Sequence, residues 1–364
     1  MEPRGSSLLL FAKGTLRWIV KFRIFIFVMC VVGIVVAYNT MFSVSMIVSN
    51  VELPAEATIK SKFAIFGIWD MGAGDLGGLQ RFEHTLRRSG STAMLFVFCP
   101  MHQKEVLQAK MKGSPYFCAV GYEMGVSGQT GLYTFSSLRF TLADMFLDRL
   151  GAHFTFVMTS DLSDVVFTAD PFKAIPNALG KTERDRFLAA ALEATTIDRE
   201  GINGYWIRTC FGEQVAKHFE GLPISCSGTT LGDITSMRQY VSAMDKEMRS
   251  SAFCSAQGTD QGVHNVVLRQ GVLKKLIEWM PLDSGPVLTL DRVAVLRFDA
   301  NGRPVNINGE PYAVIHQVNR CAEFAKKFVE VSSSDSQNVV ESRRYRCHTV
   351  MDPPGTWWAG LPQK

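Results

Sequence analysis

Apolar side chains in this chain follow two rhythms. Short unbroken runs rich in β-branched and aromatic residues occupy 63–68, 94–99 and 154–159. Runs of that kind suit strands buried on both faces of a parallel sheet. Between and after them, 79–88, 135–150 and 234–249 space their apolar residues as helices do. The alternation predicts an α/β fold, a mostly parallel sheet flanked by helices. After residue 62, about 300 residues remain, enough for one large α/β domain or two fused halves. No internal repeat interrupts the pattern.

A third rhythm stands before these. Residues 24–51 carry no charged side chain, and 24–37 is almost purely aliphatic or aromatic. A run of roughly 20 apolar residues crosses a bilayer. Ahead of it lie Arg4, Lys13, Arg17, Lys21 and Arg23 against the single acid Glu2. The positive-inside rule keeps that end cytosolic and exports the rest. A cleaved signal peptide is the alternative, but the long basic lead and the length of the run favour an uncleaved anchor. The expected organisation is a cytosolic tail (1–23), a membrane anchor (24–48), a short polar stem (49–62), a folded domain (63–330) and a tail (331–364). The tail opens SSSDSQN and ends in Pro353, Pro354, Trp357 and Trp358. It reads as a flexible segment docking through its aromatics.

Charge adds little once the anchor is set aside. The chain has 38 basic and 34 acidic residues; without the five bases and one acid before Ile24 it has 33 of each. A neutral exported part excludes a basic nucleic-acid patch. Of eight cysteines, Cys30 falls in the anchor and seven follow it. Seven is odd, and sequence does not give the connectivity. No CxxC pair, zinc spacing or N-glycosylation sequon follows the anchor.

Candidate chemistry gathers where the third strand ends. After 154–159 come Ser160, Asp161, Leu162, Ser163 and Asp164, then a second apolar run 165–167 and the turn signal Asp170-Pro171. Carboxylates at the end of a buried strand stand where α/β sheets bind ligands. Oxygen ligands of this kind suit a hard divalent cation bridging to phosphates. A solvated turn with Asp161 as a cap is the plainer account. Further on, 223–232 (PISCSGTTLG) reads as a strand-to-turn segment whose small residues permit close backbone approach to a ligand. A tight connection into the next helix would look the same. The cluster 258–265 (GTDQGVHN) opens a helix, with Thr259 or Asp260 as a candidate cap. The run 311–317 puts His316 at the end of a strand, where it could be a third metal ligand or a structural histidine. Gly72, Gly74 and Gly77 spell a GxGxxG between a strand and a helix. A dinucleotide reading of it lacks the acid that should end the second strand (FVFCP), and Asp75 would repel a pyrophosphate. An ordinary glycine-rich turn explains it better.

The order of acidic strand end, SG segment, DQxxxN cluster and late histidine resembles the nucleotide-sugar glycosyltransferases of the GT-A fold, a Rossmann-like α/β architecture. Many of these are single-pass type II Golgi proteins. The resemblance spans roughly 63–320 and is most specific in DVVFTADPF and TDQGVHN. It implies a donor sugar-diphosphate, a glycan, protein or lipid acceptor, and a Golgi (or ER) membrane location with the catalytic domain luminal. It implies Mn2+ (or Mg2+) held by Asp164, His316 and Asp161. Asp164 matches the second aspartate of the family's DxD motif. Leu162 stands where the first should be, so Asp161, one step earlier, would bind directly, through water, or at the ribose. Donor contacts are implied for Gly67 and Ile68 beneath the base, and for Arg139, Ser227 and Gly228. Gln261 resembles the residue beside the anomeric carbon in retaining members, with Asp260 on donor hydroxyls. Two other readings stay open: a catalytically inactive luminal binding protein of the same fold, and an NAD-dependent oxidoreductase.

Overall fold

The computed structural model describes residues 45–69, 76–127, 135–250, 254, 258–290, 295–299, 303–320 and 348–349. The described residues within 48–124 and 133–364 form one compact unit, and those within 1–47 and 125–132 fall in a second. The larger unit carries nearly all the described elements. Strand β1 (Ser45–Glu52) precedes β2 (Phe63–Ile68), helix α1 (Leu76–Arg88), β3 (Met94–Pro100), α2 (Lys104–Lys110) and β4 (Phe117–Ser127). Helix α3 (Phe135–Leu150) leads to β5 (Phe156–Ser160), β6 (Val165–Phe167) and α4 (Pro171–Ala178). Next come β7 (Leu188–Thr196), α5 (Ile197–Glu200), α6 (Ile202–Phe211), α7 (Glu213–His218) and β8 (Pro223–Asp233). The chain continues through α8 (Ile234–Ser250), α9 (Thr259–Leu268), β9 (Ile277–Met280) and β10 (Val287–Thr289). Strands β11 (Val295–Leu296), β12 (Val314–His316) and β13 (His348–Thr349) follow.

Eight strands form the main sheet in the order β1-β4-β3-β2-β5-β8-β7-β9. Strands β4, β3, β2 and β5 run parallel, and so do β7 and β9; β8 is antiparallel to both its neighbours. This is a mixed α/β fold on a large, mostly parallel sheet flanked by helices. From β2 the chain steps outward through β3 and β4, then returns to the other side of β2 as β5. That reversal makes the carboxyl ends of β2 and β5 a topological switch point, where open α/β sheets bind ligands.

A second sheet has the order β10-β12-β6, with β12 parallel to β10 and antiparallel to β6. Strand β5 ends at Ser160 in the main sheet and β6 begins at Val165 in the small one. Residues 161–164 therefore bridge the two sheets. Strands β11 and β13 form a separate parallel pair.

Strand alternation divides the core into two layers. Ala64, Phe66, Phe96 and Phe98 face α3 and α8, packing with Phe140, Phe146, Met237, Tyr240 and Met244. Ile65, Leu95, Val97 and Cys99 face the opposite layer, with Leu79, Phe82 and Leu86 of α1 and Phe172 and Ile175 of α4. Two helix starts are capped by side chains. Asp233 Oδ1 accepts from the backbone N–H groups of Thr235 (2.9 Å) and Ser236 (3.1 Å), and Asp170 accepts from Phe172 N–H at 3.2 Å with Pro171 in the first turn.

Several sequence expectations shift. The strand expected at 154–159 runs Phe156–Ser160. Asp170-Pro171 opens a helix instead of closing a turn, because Asp170 caps it and proline at its first position needs no N–H partner. The 223–232 segment is no turn; it lies in one unbroken strand of eleven residues. Its small, β-branched residues let it run through the buried centre of the sheet. Ser45–Val48, expected at the end of the anchor, and the first stem residues form β1. The rest of the anchor, the GxGxxG apart from Gly77, and the tail except His348 and Thr349 lie outside the described residues. Among the described residues no helix is long and apolar enough to cross a membrane.

Phe66 touches four rings, those of Phe96, Phe98, Phe146 and Phe154, at centroid distances of 5.4, 5.8, 4.9 and 6.4 Å. Phe66→Ala should therefore cost ~3–5 kcal/mol in urea unfolding. Val106→Ala, at an exposed position, should change stability by no more than ~0.5 kcal/mol. Equal effects of the two would contradict this packing.

Candidate functional site

Strand register assembles the site. In the β5–β8 pair Ser160 lies opposite Thr229, and the next residue, Asp161, donates its backbone N–H to Gly228 O at 2.9 Å. In the β12–β6 pair His316 lies opposite Val165, and Val318 N–H reaches Asp164 O at 3.1 Å. Two antiparallel registers thus bring Asp161, Asp164 and His316 together from segments about 150 residues apart. One ligand atom from each lies within 4.8 Å of the others. His316 Nε2 is 3.2 Å from Asp161 Oδ2 and 3.6 Å from Asp164 Oδ1. His316 is 1% exposed, Asp164 15% and Asp161 38%, so the cluster opens on the Asp161 side.

Leu162 explains the spacing of the aspartates. Its side chain is buried against Gly67 at the end of β2, where an added Cβ would stand 2.5 Å from Leu162 Cδ2. With Leu162 pinned inward, the two carboxylates on either side of 162–163 serve the cluster. Ser163 O accepts from Arg81 at 2.6 Å, holding the same turn from α1. Gly228 is required as well. A Cβ there would collide with the His316 ring and come within 2.6 Å of Asp161 Oδ2.

Arg139 of α3 lies beneath the cluster, 3% exposed. It donates to Asp161, to Ser227 O at 3.1 Å and to Asp260 Oδ2 at 3.3 Å. Ser227 Oγ donates to the same Asp260 oxygen at 3.0 Å. Burial opposes the Arg139 charge, but Asp161 and Asp260 outweigh it and raise its pKa. Burial likewise works to raise the Asp161 carboxyl, and Arg139 with His316 holds it below the usual carboxylate range. Asp164 is raised by burial. Burial disfavours the His316 imidazolium, yet Cys226, Asp164 and Asp161 hold its pKa well above the ordinary value.

Gln261, in the first turn of α9, stands next to this cluster through Cys226. The Cys226 sulfur is 3.3 Å from His316 Nδ1 and 3.7 Å from Gln261 Oε1. Gln261 Nε2 donates to Glu193 Oε1 at 3.3 Å and Asn203 Oδ1 at 3.1 Å. Asn265, one turn on, donates to Ser225 O at 2.9 Å and accepts from Ser225 N–H at 2.8 Å, locking α9 to β8. His264 bridges Ser225 Oγ (2.8 Å) and Tyr240 Oη (2.7 Å), and burial pushes its pKa well down.

The structure thus unites Asp161, Asp164, His316, Arg139, Asp260, Ser227, Gly228 and Gln261, with Gly67 touching the turn from below and Ile68 ending β2 beside it. Asp260 is 5% exposed and spends its carboxylate on Arg139 and Ser227. Burial raises its pKa. Glu193, Asn203 and Cys226 escape the sequence reading. A single acid inside the apolar strand LAAALEATT was a signal for Glu193; Asn203 gave none. Cys226 links His316 to Gln261.

The donor set fits a divalent cation on a structural ground. Asp164 Oδ1 is buried with no hydrogen-bond partner, and the 3.6 Å to His316 is too long for one. A buried oxygen of this kind ordinarily has a direct partner. Two carboxylates and an imidazole could supply three ligands to such an ion.

Removing the guanidinium would leave Asp161 and Asp260 without their shared counter-charge. Arg139→Met should cost ~3–5 kcal/mol in urea unfolding. A loss below ~1 kcal/mol would show that the arginine is not needed to compensate them.

Comparison with known proteins adds no relative: no protein-family model matches this sequence, and no curated protein matches it.

Proposed function

We propose that this chain is a metal-dependent glycosyltransferase of the GT-A type, moving a sugar from a nucleotide-diphosphate donor to a glycan, protein or lipid acceptor. The convergence of Asp161, Asp164 and His316 within 4.8 Å, at the switch point of the sheet, is the observation that carries the reading. Breaking a sugar–diphosphate bond leaves negative charge on the departing phosphate. A bound Mn2+ or Mg2+ supplies charge neutralisation to that diphosphate. Asp164, Asp161 and His316 would hold it, with Arg139 adding fixed positive charge below. The ends of β2 at Gly67 and Ile68 would take the base, as donors sit at carboxyl strand ends in such sheets. The part of 24–48 that precedes β1 would anchor the chain in a Golgi or ER membrane with this domain luminal.

Gln261 then faces the sugar. Its amide nitrogen is committed to Glu193 and Asn203, and its oxygen, which accepts from the Cys226 thiol at 3.7 Å, keeps a second lone pair to offer. An amide takes no proton at neutral pH, but its oxygen can support an oxocarbenium-like centre. The departing diphosphate accepts the acceptor's proton on the same face, and the anomeric configuration is retained. Glu193 and Asn203 are positioning residues in this scheme.

A second reading, a catalytically inactive binding protein of the same fold, has one observation in its favour. Asp161 already has Arg139 and His316 as partners, so the network could be structural alone. Turnover separates the two.

Purified protein screened against nucleotide sugars with manganese should release nucleoside diphosphate, and chelation should abolish the release. Asp164→Asn should lower turnover by at least the roughly 10–100-fold that loss of a supporting partner costs, while the protein stays folded. Full activity in EDTA would remove the metal from the mechanism. No turnover with any nucleotide sugar would favour the binding protein.

Retention makes a separate forecast. Proton NMR of the first-formed product from an α-linked donor should show an α-linkage, and Gln261→Ala should lower kcat on the order of 10²-fold, more than it raises KM. A β-linked product would overturn the assignment.

A further inference from the structure

Two thiols meet beside the Gln261 support, and neither belongs to the site described above. Helix α6 packs against the start of α9. Trp206 of α6 fills the space that side chains at positions 258 and 262 would need. A Cβ on Gly258 would collide with its ring, and one on Gly262 would stand 2.8 Å from Trp206 Cβ. One helical turn beyond Trp206 is Cys210, and four residues before Gly258 is Cys254. The Cys210 thiol hydrogen-bonds Cys254. Cys254 is wholly buried in the main core layer, and Cys210 packs against that layer half-buried. Thr259 Oγ1 donates to Cys254 O at 2.7 Å, tying this cysteine to the first turn of α9.

The other described cysteines are placed differently. Cys118 lies opposite Phe96 and Cys99 opposite Gly121 on neighbouring strands, three residues out of register, or roughly 10 Å along the strand. Cys226 is engaged with His316 and Gln261.

We infer that Cys210 and Cys254 form a disulfide that clamps the end of α6 to the start of α9. The oxidant is a small disulfide such as oxidised glutathione. The Cys254 contact and burial push the Cys210 thiol well above its usual pKa, so its minor thiolate fraction attacks one glutathione sulfur and releases one glutathione thiol. Cys254 then displaces the second, so two protein thiols and one glutathione disulfide become one protein disulfide and two glutathione thiols. The bond closes the chain from 210 to 254 and joins the helix carrying Asn203 to the helix carrying Gln261. The proposal does not depend on the glycosyltransferase reading.

The test uses the full chain in detergent, equilibrated in a glutathione redox buffer, alkylated with iodoacetamide after denaturation, and digested without reductant. Mass spectrometry should find one peptide pair joined through Cys210 and Cys254. The melting temperature should be roughly 5–10 °C higher than after dithiothreitol treatment. In Cys210→Ser, a half-buried position tolerant of a small change, dithiothreitol should no longer shift the melting temperature. Separate alkylation of Cys210 and Cys254 after oxidation would overturn the proposal, as would their linkage to Cys321 or Cys347.

Discussion

One buried guanidinium holds the functional end of this fold together. Arg139 reaches from α3 to the end of β5 at Asp161, to the backbone of β8 at Ser227, and to α9 at Asp260. Asp260, 5% exposed, has this guanidinium as its counter-charge. A carboxylate taken out of water costs several kcal/mol unless it is paired. Arginine suits the role because its planar fork can serve several acceptors at once and stays charged when buried. The Asp161–Asp164–His316 cluster and the Gln261 support are both built against this centre.

Closeness of backbone is the second constraint. Gly228 leaves no room for a side chain under His316, and Gly67 none beside Leu162. Small residues along β8 permit α9 to lie against it, where Asn265 exchanges two hydrogen bonds with the Ser225 backbone. Gln317 adopts a positive φ of 63° directly after His316. A residue without glycine's freedom in that conformation stores strain, and here it lies next to the site while its Nε2 donates to the Cys226 sulfur at 3.9 Å.

The parts of this arrangement that were legible in sequence are those with local signals. Runs of aromatic and β-branched residues located β2, β3 and β5 to within two residues, because strands buried on both faces need such runs. Asp161, Asp164 and His316 stood out as polar residues ending apolar strands. The 223–232 segment misled because small residues in sequence look like a turn. They are equally what a central strand needs when other chains press on it. Leu162 looked like a defect in a metal motif and is a core residue packed on Gly67. The pairing of Arg139 with Asp260, and of Gln261 with Glu193 and Asn203, joins residues 58 to 121 positions apart. No local pattern encodes such pairs; they exist only once the sheet register is set.

The central claim is that Asp161, Asp164 and His316 hold a divalent cation that in turn holds a nucleoside diphosphate. Electron paramagnetic resonance of Mn2+ titrated with the protein, with and without uridine or guanosine diphosphate, tests it most directly. The account predicts one bound Mn2+ per chain, held more tightly when the preferred diphosphate is present, and lost in Asp164→Asn with the fold intact. Mn2+ binding that is absent from the native protein, or that survives unchanged in both Asp164→Asn and His316→Ala, would contradict it.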